Sequence, residues 1–264
     1  MKIATWNVNS VKARLPQVLA WLREAAPDVA LLQEIKVTAD HFPSMEIGDL
    51  GYNVAICGQR TYNGVAILAK RPIDVLFDSL PDNDADPQAR YIEAIVDGLR
   101  VASIYAPNGN PIGTEKFAYK LGWLACLGRH VTALRASEDA FVLGGDFNVA
   151  PCDDDVYDPV GWQDDALCRP ESRAAFRRLM HQGLVDALGA TGSHHRRRYT
   201  WWDYRGGAWP ADHGLRIDHL LLSPEAADRL VDADVDRGPR DWEKASDHAP
   251  VWCILDDGAS QAKR

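Results

Sequence analysis

Short apolar runs alternate with polar turns along most of the chain, and a few longer stretches carry helical spacing. KIATWNV (2–8) reads as a strand. The turn after it leads into a helix predicted from about Pro16, a favourable first helical residue, to Ala26, with Val18, Leu19 and Leu22 on its apolar face. DVALLQE (28–34) is an apolar run of buried-strand type. YNVAIC (52–57), GVAILAK (64–70), IDVLF (73–77), YIEAIVDG (91–98) and LRVASIYA (99–106) follow at short intervals with turn residues between them, which is the antiparallel style. Residues 114–137 place Phe117, Leu121, Leu124, Leu127, Val131 and Leu134 at helical intervals, and AFVLGG (140–145) is again a buried strand. A second long helix is predicted near 171–182, after which IDHLLLS (217–223) and APVWCILD (249–256) return to strand. No Ser/Gly-rich linker, internal repeat or low-complexity segment interrupts this order. The economical reading is α/β: one domain over 1–257 with two mixed sheets and helices on the outer faces, then a polar tail over 258–264.

Composition narrows the class. With 264 residues, 46% hydrophobic and 25% charged, the chain is of soluble globular type and long enough for a sizeable core. The apolar stretch after Lys2 is cut by Asn7, Asn9, Lys12 and Arg14, so it forms no signal-peptide core, and no run reaches the roughly 18 to 20 residues of a membrane span. The five cysteines (57, 126, 152, 168, 253) are odd in number and form no C-x-x-C pair, which suits a reduced cytoplasmic compartment rather than a disulfide frame or structural zinc. A net charge of −9 argues against an indiscriminate nucleic-acid binder, but not against an enzyme that gathers carboxylates for metal chemistry and keeps its bases on one face. Acid is bunched at Asp82–Asp86 and Asp153–Asp158, the usual look of solvated loops. Base is bunched in HHRRRYTWWDYR (194–205), and from His194 to Trp209 Arg interleaves with Trp and Tyr as on surfaces that track phosphates and stack bases, the alternative being a buried aromatic strand with a solvated basic lead-in.

Polar residues recur at the ends of the apolar runs: Asn7 and Asn9, Gln33 and Glu34, Tyr105 and Asn108, Asp146 and Asn148, Asp218, and the adjacent Asp247 and His248. A carboxylate at the end of a buried strand is costly unless it is paired, solvated or bound to a cation. Singly, each reads as a turn former or helix-start residue. Together they suit attack on a phosphodiester, which needs an oxygen-ligated divalent cation, a group that activates water, and donors for the transition state. Glu34 is the hard-oxygen ligand for Mg²⁺. Asp146 and Asn148, two apart on an extended stretch, can accept a proton from water and orient it. His248 can donate to a phosphate oxygen, with Asp218 or Asp247 fixing its tautomer.

On TWNVNSVKAR (5–14), LLQEIK (31–36), YNGVAIL (62–68), IYAPNG (104–109), GGDFNVAP (144–151), YTWWDYR (199–205), GLRIDHLLLS (214–223) and SDHAPV (246–251), the chain resembles the exonuclease III family of AP endonucleases. The resemblance implies a four-layer α/β sandwich, with two mixed, mainly antiparallel sheets face to face and the active site at one edge. It implies a catalytic set of Tyr105, Asp146, Asn148, Asp218 and His248, and a metal site drawn from Asn7, Glu34, Asp146, Asn148 and Asp247. Lys12, Tyr62 and Asn108 would meet the DNA backbone, and Trp201, Leu215 and Ile217 would line the pocket for a flipped-out sugar. Mg²⁺, replaceable by Mn²⁺, is the implied cofactor. The implied partner of a cytoplasmic, nucleoid-associated monomer is duplex DNA with abasic sites, nicks or 3′ ends, and no membrane.

The sequence departs from the family pattern in three places. Ile35 replaces a frequent threonine, Leu215 stands where some relatives place an aromatic, and GNPIG (109–113) has no arginine to insert into the duplex. Two competing readings differ in class. A phospholipid or inositol-phosphate phosphoesterase could share the fold, but the chain has no lipid anchor or polybasic lipid patch. A catalytically dead DNA-binding scaffold would not need every ionisable residue type named above.

Overall fold

The computed structural model describes residues 1–191 and 198–256, so the start of the basic run, up to residue 197, and the tail expected over 258–264 lie outside the described residues. Numbered along the chain, the strands are β1 (Lys2–Asn7), β2 (Val29–Gln33), β3 (Asn53–Cys57), β4 (Val65–Ala69), β5 (Ile73–Phe77), β6 (Tyr91–Val96), β7 (Leu99–Tyr105), β8 (Phe141–Asp146), β9 (Val185–Asp186), β10 (Asp218–Leu222), β11 (Leu230–Val235) and β12 (Val251–Leu255). They form two six-stranded sheets, in the orders β11-β12-β1-β2-β4-β3 and β5-β6-β7-β8-β10-β9. Only the β1–β2 and β7–β8 pairings are parallel among the described residues.

Central strands such as VALLQ and FVLGGD are buried on both faces, and so must be covered from both sides. Helix α1 (Leu15–Ala25), with the short α2 (Ser44–Gly48) nearby, covers the first sheet. Val18, Trp21 and Leu22 of α1 pack with Trp6, Leu32 and Leu68, and Trp6 meets Trp21 edge-on at 5.3 Å. Helices α3 (Glu115–Arg135) and α4 (Pro170–Met180) cover the second sheet, where Leu124, Leu127, Phe176 and Leu179 pack with Ile104, Phe141 and Leu143. The short α5 (Ala187–Thr191) and α6 (Pro224–Ala227) flank the same sheet's β10. Between the sheets lie Ile3, Leu31, Ile67, Val101, Val142, Leu220 and Val251. The result is the four-layer α/β sandwich. No helix of the described residues is long and apolar enough to cross a membrane.

Two local readings change. β11 was not legible as a strand: LVDADV carries two aspartates and sits at a sheet edge, where only one face must be apolar. The buried stripe of α3 runs through Lys120, Trp123, Leu124, Leu127, Val131 and Leu134, so Leu121 is half-exposed and its neighbour Lys120 is buried. The paired glycines inside β8, which the sequence already places in a strand, are a packing requirement. A Cβ on Gly144 would sit 2.5 Å from Leu31 Cδ1, and one on Gly145 would sit 1.9 Å from the carbonyl oxygen of Ile104.

Side chains alternate across a strand, so every second residue faces the other sheet. On these interior rows polarity rises in one direction: Ile3, Thr5, Asn7 on β1; Val29, Leu31, Gln33 on β2; Val101, Ser103, Tyr105 on β7; Val142, Gly144, Asp146 on β8; and, read backwards, Leu222, Leu220, Asp218 on β10. Gln33 marks the transition, since it accepts from Thr5 Oγ1 at 3.1 Å and donates to Ser103 Oγ of the opposite sheet at 3.0 Å. Beyond it the interior is ionisable.

Candidate active site

Register brings the polar ends together. Tyr105, Asp146 and Asp218 are partners across β7, β8 and β10, while Asn7 lies opposite Gln33 on the other sheet. Asn7, fully buried, joins the sheets: its Nδ2 donates to Glu34 Oε1 at 2.8 Å and to Asp146 Oδ2 at 3.0 Å. Its amide oxygen accepts from the backbone N–H of Asn9 at 3.0 Å. Glu34 follows β2 in the left-handed region, at φ 49°, an uncommon conformation for a residue with a side chain. The chain is held there by backbone bonds from Ser10 to Glu34 and from Ile35 and Lys36 to the carbonyls of Gly64 and Asn63. Lys36 Nζ closes on Glu34 Oε2 at 2.8 Å.

The imidazole of His248 occupies the opposite wall. Nδ1 lies 2.8 Å from Asp218 Oδ2, and since a carboxylate only accepts, Nδ1 carries the proton. Nε2 faces Asp146 Oδ2 at 3.8 Å. Trp6 Nε1 donates to the His248 carbonyl and the Ser246 hydroxyl accepts from its backbone N–H, so the ring's backbone is fixed as well. Asp247 turns the other way, accepting from Asn9 Nδ2 and from Trp201 Nε1, each at 3.0 Å.

Asn148, at φ 51°, gives its backbone N–H to Asp146 Oδ1 at 2.8 Å and its Nδ2 to the Ala106 carbonyl at 3.0 Å. Its Oδ1 accepts from Asn108 Nδ2 at 3.0 Å. Arg90, unremarked in the sequence, lies over the Tyr105 ring at 4.9 Å. Glu34, Tyr105, Asn108, Asp146, Asn148, Asp247 and His248 face a cavity of about 270 Å³ lined on its far side by Trp162, Leu167, Trp201, Ile217, Asn110 and Asp165. Trp162 and Trp201 meet edge-on with centroids 5.8 Å apart.

The charges are strongly coupled. Burial raises the Asp146 carboxyl, and the negative charge of Asp218 raises it further despite the nearby imidazole. Burial works against the His248 imidazolium, but the carboxylates of Asp218, Asp146 and Asp247 outweigh it and hold the ring above its ordinary value. Glu34 is also disfavoured by burial, yet the Lys36 ammonium and the Asn7 amide bring it below the usual carboxylate range. Burial and the carboxylates of Glu34 and Asp146 push the Tyr105 phenol well up, so Tyr105 is a donor rather than a base. The site therefore presents one carboxylate held ionised, one that binds a proton readily, and a cationic imidazole.

Of the residues singled out in the sequence, Tyr105, Asn108, Asp146, Asn148, Glu34, Asp247, His248, Trp201 and Ile217 line the cavity. Asn7 and Asp218 lie behind this lining, as does Leu215, which is fully buried and paired with Trp201. Lys12 and Tyr62 are exposed and outside the lining, Tyr62 at 68%. Arg198 is not a free basic group: its Nη1 donates to the carbonyls of Leu188 and Ala233 at 3.2 Å, and it pairs with Asp234 at 3.7 Å. Trp162 and Asp165 were missed because they sit in an acidic loop with no periodicity, where a single tryptophan was the only signal.

A model of the Endonuclease/Exonuclease/phosphatase family matches residues 4–248. The chain is 34% identical over 263 residues to exodeoxyribonuclease III of Haemophilus influenzae, covering 96% of this chain and 98% of that one. A 3′ phosphatase from Neisseria, solved with a product DNA hairpin, superposes with a TM-score of 0.92 at 43% identity over 97% of this chain and 99% of its own. An AP endonuclease from Archaeoglobus fulgidus superposes with a TM-score of 0.93 at 36% identity, over 97% and 99% of the two chains.

Proposed function

The chain belongs to the endonuclease/exonuclease/phosphatase family, and on that premise we propose that it is a Mg²⁺-dependent DNA repair nuclease of the exonuclease III type. It hydrolyses the phosphodiester 5′ to abasic sites and removes nucleotides or blocking groups from 3′ ends of duplex DNA. With this reading go a cytoplasmic, nucleoid-associated location and a monomeric state. Relatives that include a 3′ phosphatase and an AP endonuclease support both arms of the activity.

The observation that carries the reading is the convergence of Glu34, Asp146 and His248, whose ligand atoms lie within 4.8 Å of one another beside a cavity walled by two indoles. Two carboxylates from opposite sheets suit a hard cation, and Mg²⁺ commonly takes only one or two of them. Glu34 and Asp146 would hold it, with Asn7 orienting both and with Asn148 and Asp247 beside them. The bound ion supplies positive charge to the phosphoryl oxygens. The remaining chemistry belongs to the chain's own side chains.

Asp146, whose proton affinity is raised, accepts a proton from the attacking water, which Asn148 orients; the water oxygen bonds to phosphorus as the bond from phosphorus to the 3′ oxygen breaks, and that oxygen leaves as a hydroxyl by taking a proton from solvent. His248, cationic through Asp218, donates to a phosphate oxygen as negative charge develops there. Tyr105 and Asn108 donate to the same phosphate. Trp201 and Ile217, with Leu215 behind them, close round a sugar that carries no base.

The test is incubation of purified protein and Mg²⁺ with three end-labelled duplexes: intact blunt, abasic-containing and 3′-phosphate, each repeated in chelator. Strand cleavage at the abasic site and release of 3′-phosphate, both abolished by chelator, are the expected results. Faster phosphate release from a soluble inositol phosphate than cleavage of any duplex would replace this reading with the phosphoesterase one.

A further inference from the structure

Lys120 is the one buried lysine among the described residues, with no exposed surface at all. It lies in the first turns of α3, and its ammonium has three N–H donors. Three backbone carbonyls meet them: Asn148 at 2.5 Å, Ala166 at 3.0 Å and Asn108 at 3.1 Å. An ammonium taken out of water is tolerated only when its donors are met. Burial lowers the Lys120 ammonium to about 7, but three carbonyl acceptors match the three donors of the protonated form, so the site is a hydrogen-bonding hub built on neutral groups rather than an ion pair.

The carbonyls belong to three loops, and each loop carries part of the site. The segment after β7 carries Asn108, the segment after β8 carries Asn148, and the segment before α4 carries Asp165 and Leu167 of the cavity wall. The loops are also tied to one another. Asn108 donates to Asn148, Asn110 Nδ2 donates to both oxygens of Asp165 at 3.0 Å, and the Ala166 N–H donates to Asn110 Oδ1 at 3.0 Å. Gly109, at φ 89°, admits the lysine stem: a Cβ there would lie 2.6 Å from Lys120 Cδ.

We propose that Lys120 is a positioning residue whose ammonium fastens these three loops to one point and so sets the spacing between the Asn108–Asn148 amide pair and the Leu167 side of the cavity. Its catalytic consequence rests on the nuclease reading; the clamp itself does not.

The test is Lys120→Met, which keeps the stem's length and removes the three donors. Amide hydrogen exchange should quicken by about 10-fold or more at Asn148, Ala166 and Leu167, with the amides of β4 unchanged. For the abasic duplex, kcat should fall by about 100-fold with KM within roughly threefold, the size expected for a displacement near 1 Å. In the double variant with Asn148→Ala, kcat should be no lower than in Asn148→Ala alone, because both remove the same placement. Lys120→Arg, which keeps a charged donor, should recover part of the loss. Unchanged exchange in the three loops, equal acceleration in β4, or multiplicative losses in the double variant would each overturn the proposal. If Lys120→Met does not fold, the same exchange and kcat comparisons on Lys120→Arg decide it. A wild-type protein that cuts none of the duplexes, while the three loops loosen as described, would remove the nuclease reading and leave the clamp standing.

Discussion

Asp146 and Asp218 stand opposite each other in the antiparallel pairing of β8 and β10, two buried carboxylates in register on neighbouring strands. Like charges so placed cannot both ionise cheaply without a cation between them. His248 is that cation, with one ring nitrogen toward each acid. Loss of either Asp146 or His248 therefore disables the same unit. We expect Asp146→Asn and His248→Asn each to lower kcat by about 10³-fold or more, and the double variant to be only slightly worse, since groups acting in one step are strongly non-additive. Single-turnover rates on abasic duplex in a double-mutant cycle check this; fully multiplicative losses would assign the two residues to separate steps.

Glu34 sits at a left-handed backbone position with Lys36 against one oxygen and Asn7 against the other, an arrangement that keeps it ionised. Chelator should abolish activity, and Mg²⁺ or Mn²⁺ should restore it. Glu34→Ala should lose activity by orders of magnitude while melting cooperatively near the wild-type temperature. Full turnover after dialysis against chelator would remove the cation from the mechanism.

Trp201 meets Trp162 edge-on and bonds Asp247, so it shapes the cavity wall, and on the nuclease reading it senses the sugar rather than the backbone. Trp201→Ala should lose abasic incision while the salt dependence of duplex binding stays as in the wild type. Anisotropy titrations across a salt series, in Ca²⁺ to slow cleavage, provide the comparison.

The basic run divides. Arg198 braces the carbonyls of Leu188 and Ala233, so Arg198→Ala should lower the melting temperature by a few degrees and leave the salt slope unchanged. Arg196 and Arg197 lie outside the described residues. If both meet phosphates, replacing them by Ala should flatten the slope of log K against log salt by about 2, at roughly 0.9 per contact. An unchanged slope would take the run off the DNA-binding face.

Arg216 is held, largely covered, between Asp155 and Asp186, and burial of Asp186 is outweighed by that guanidinium and by His219, so its carboxyl lies well below the usual range. A folded pKa below the unfolded one gives stability that is present above about pH 4 and lost as the pH falls toward the folded value. Asp186→Asn should therefore cost roughly 3 kcal/mol at neutral pH. The gap between the two melting curves should hold from pH 7 to about 5 and narrow below about 4. A gap that did not depend on pH would mean packing, not charge, is what Asp186 contributes.

How much of this was legible follows from where each signal resides. The buried strands announced themselves because both of their faces are apolar, and the acids at their ends stood out because ionisable groups are costly there. β11 stayed hidden because an edge strand needs only one covered face, and the aspartates of LVDADV break up the apolar run that marks a strand with both faces covered. Lys120 did leave a trace, a cation on the apolar stripe of α3, but the stripe could equally be drawn one residue later through Leu121. Trp162, Asp165 and Asn110 converge only once the loops after β7 and β8 are folded together. No local pattern encodes that meeting.

The pairing of β1 with β12 joins Lys2 to Ile254 at the centre of a sheet. During synthesis the first strand is made long before one of its two neighbours exists, and contacts so distant along a chain form slowly. The same late segment delivers His248. A nascent chain can thus assemble most of its helices and still possess neither a closed first sheet nor an imidazole beside Asp146. The closure of the first sheet and the completion of the catalytic wall therefore depend on the same stretch of chain.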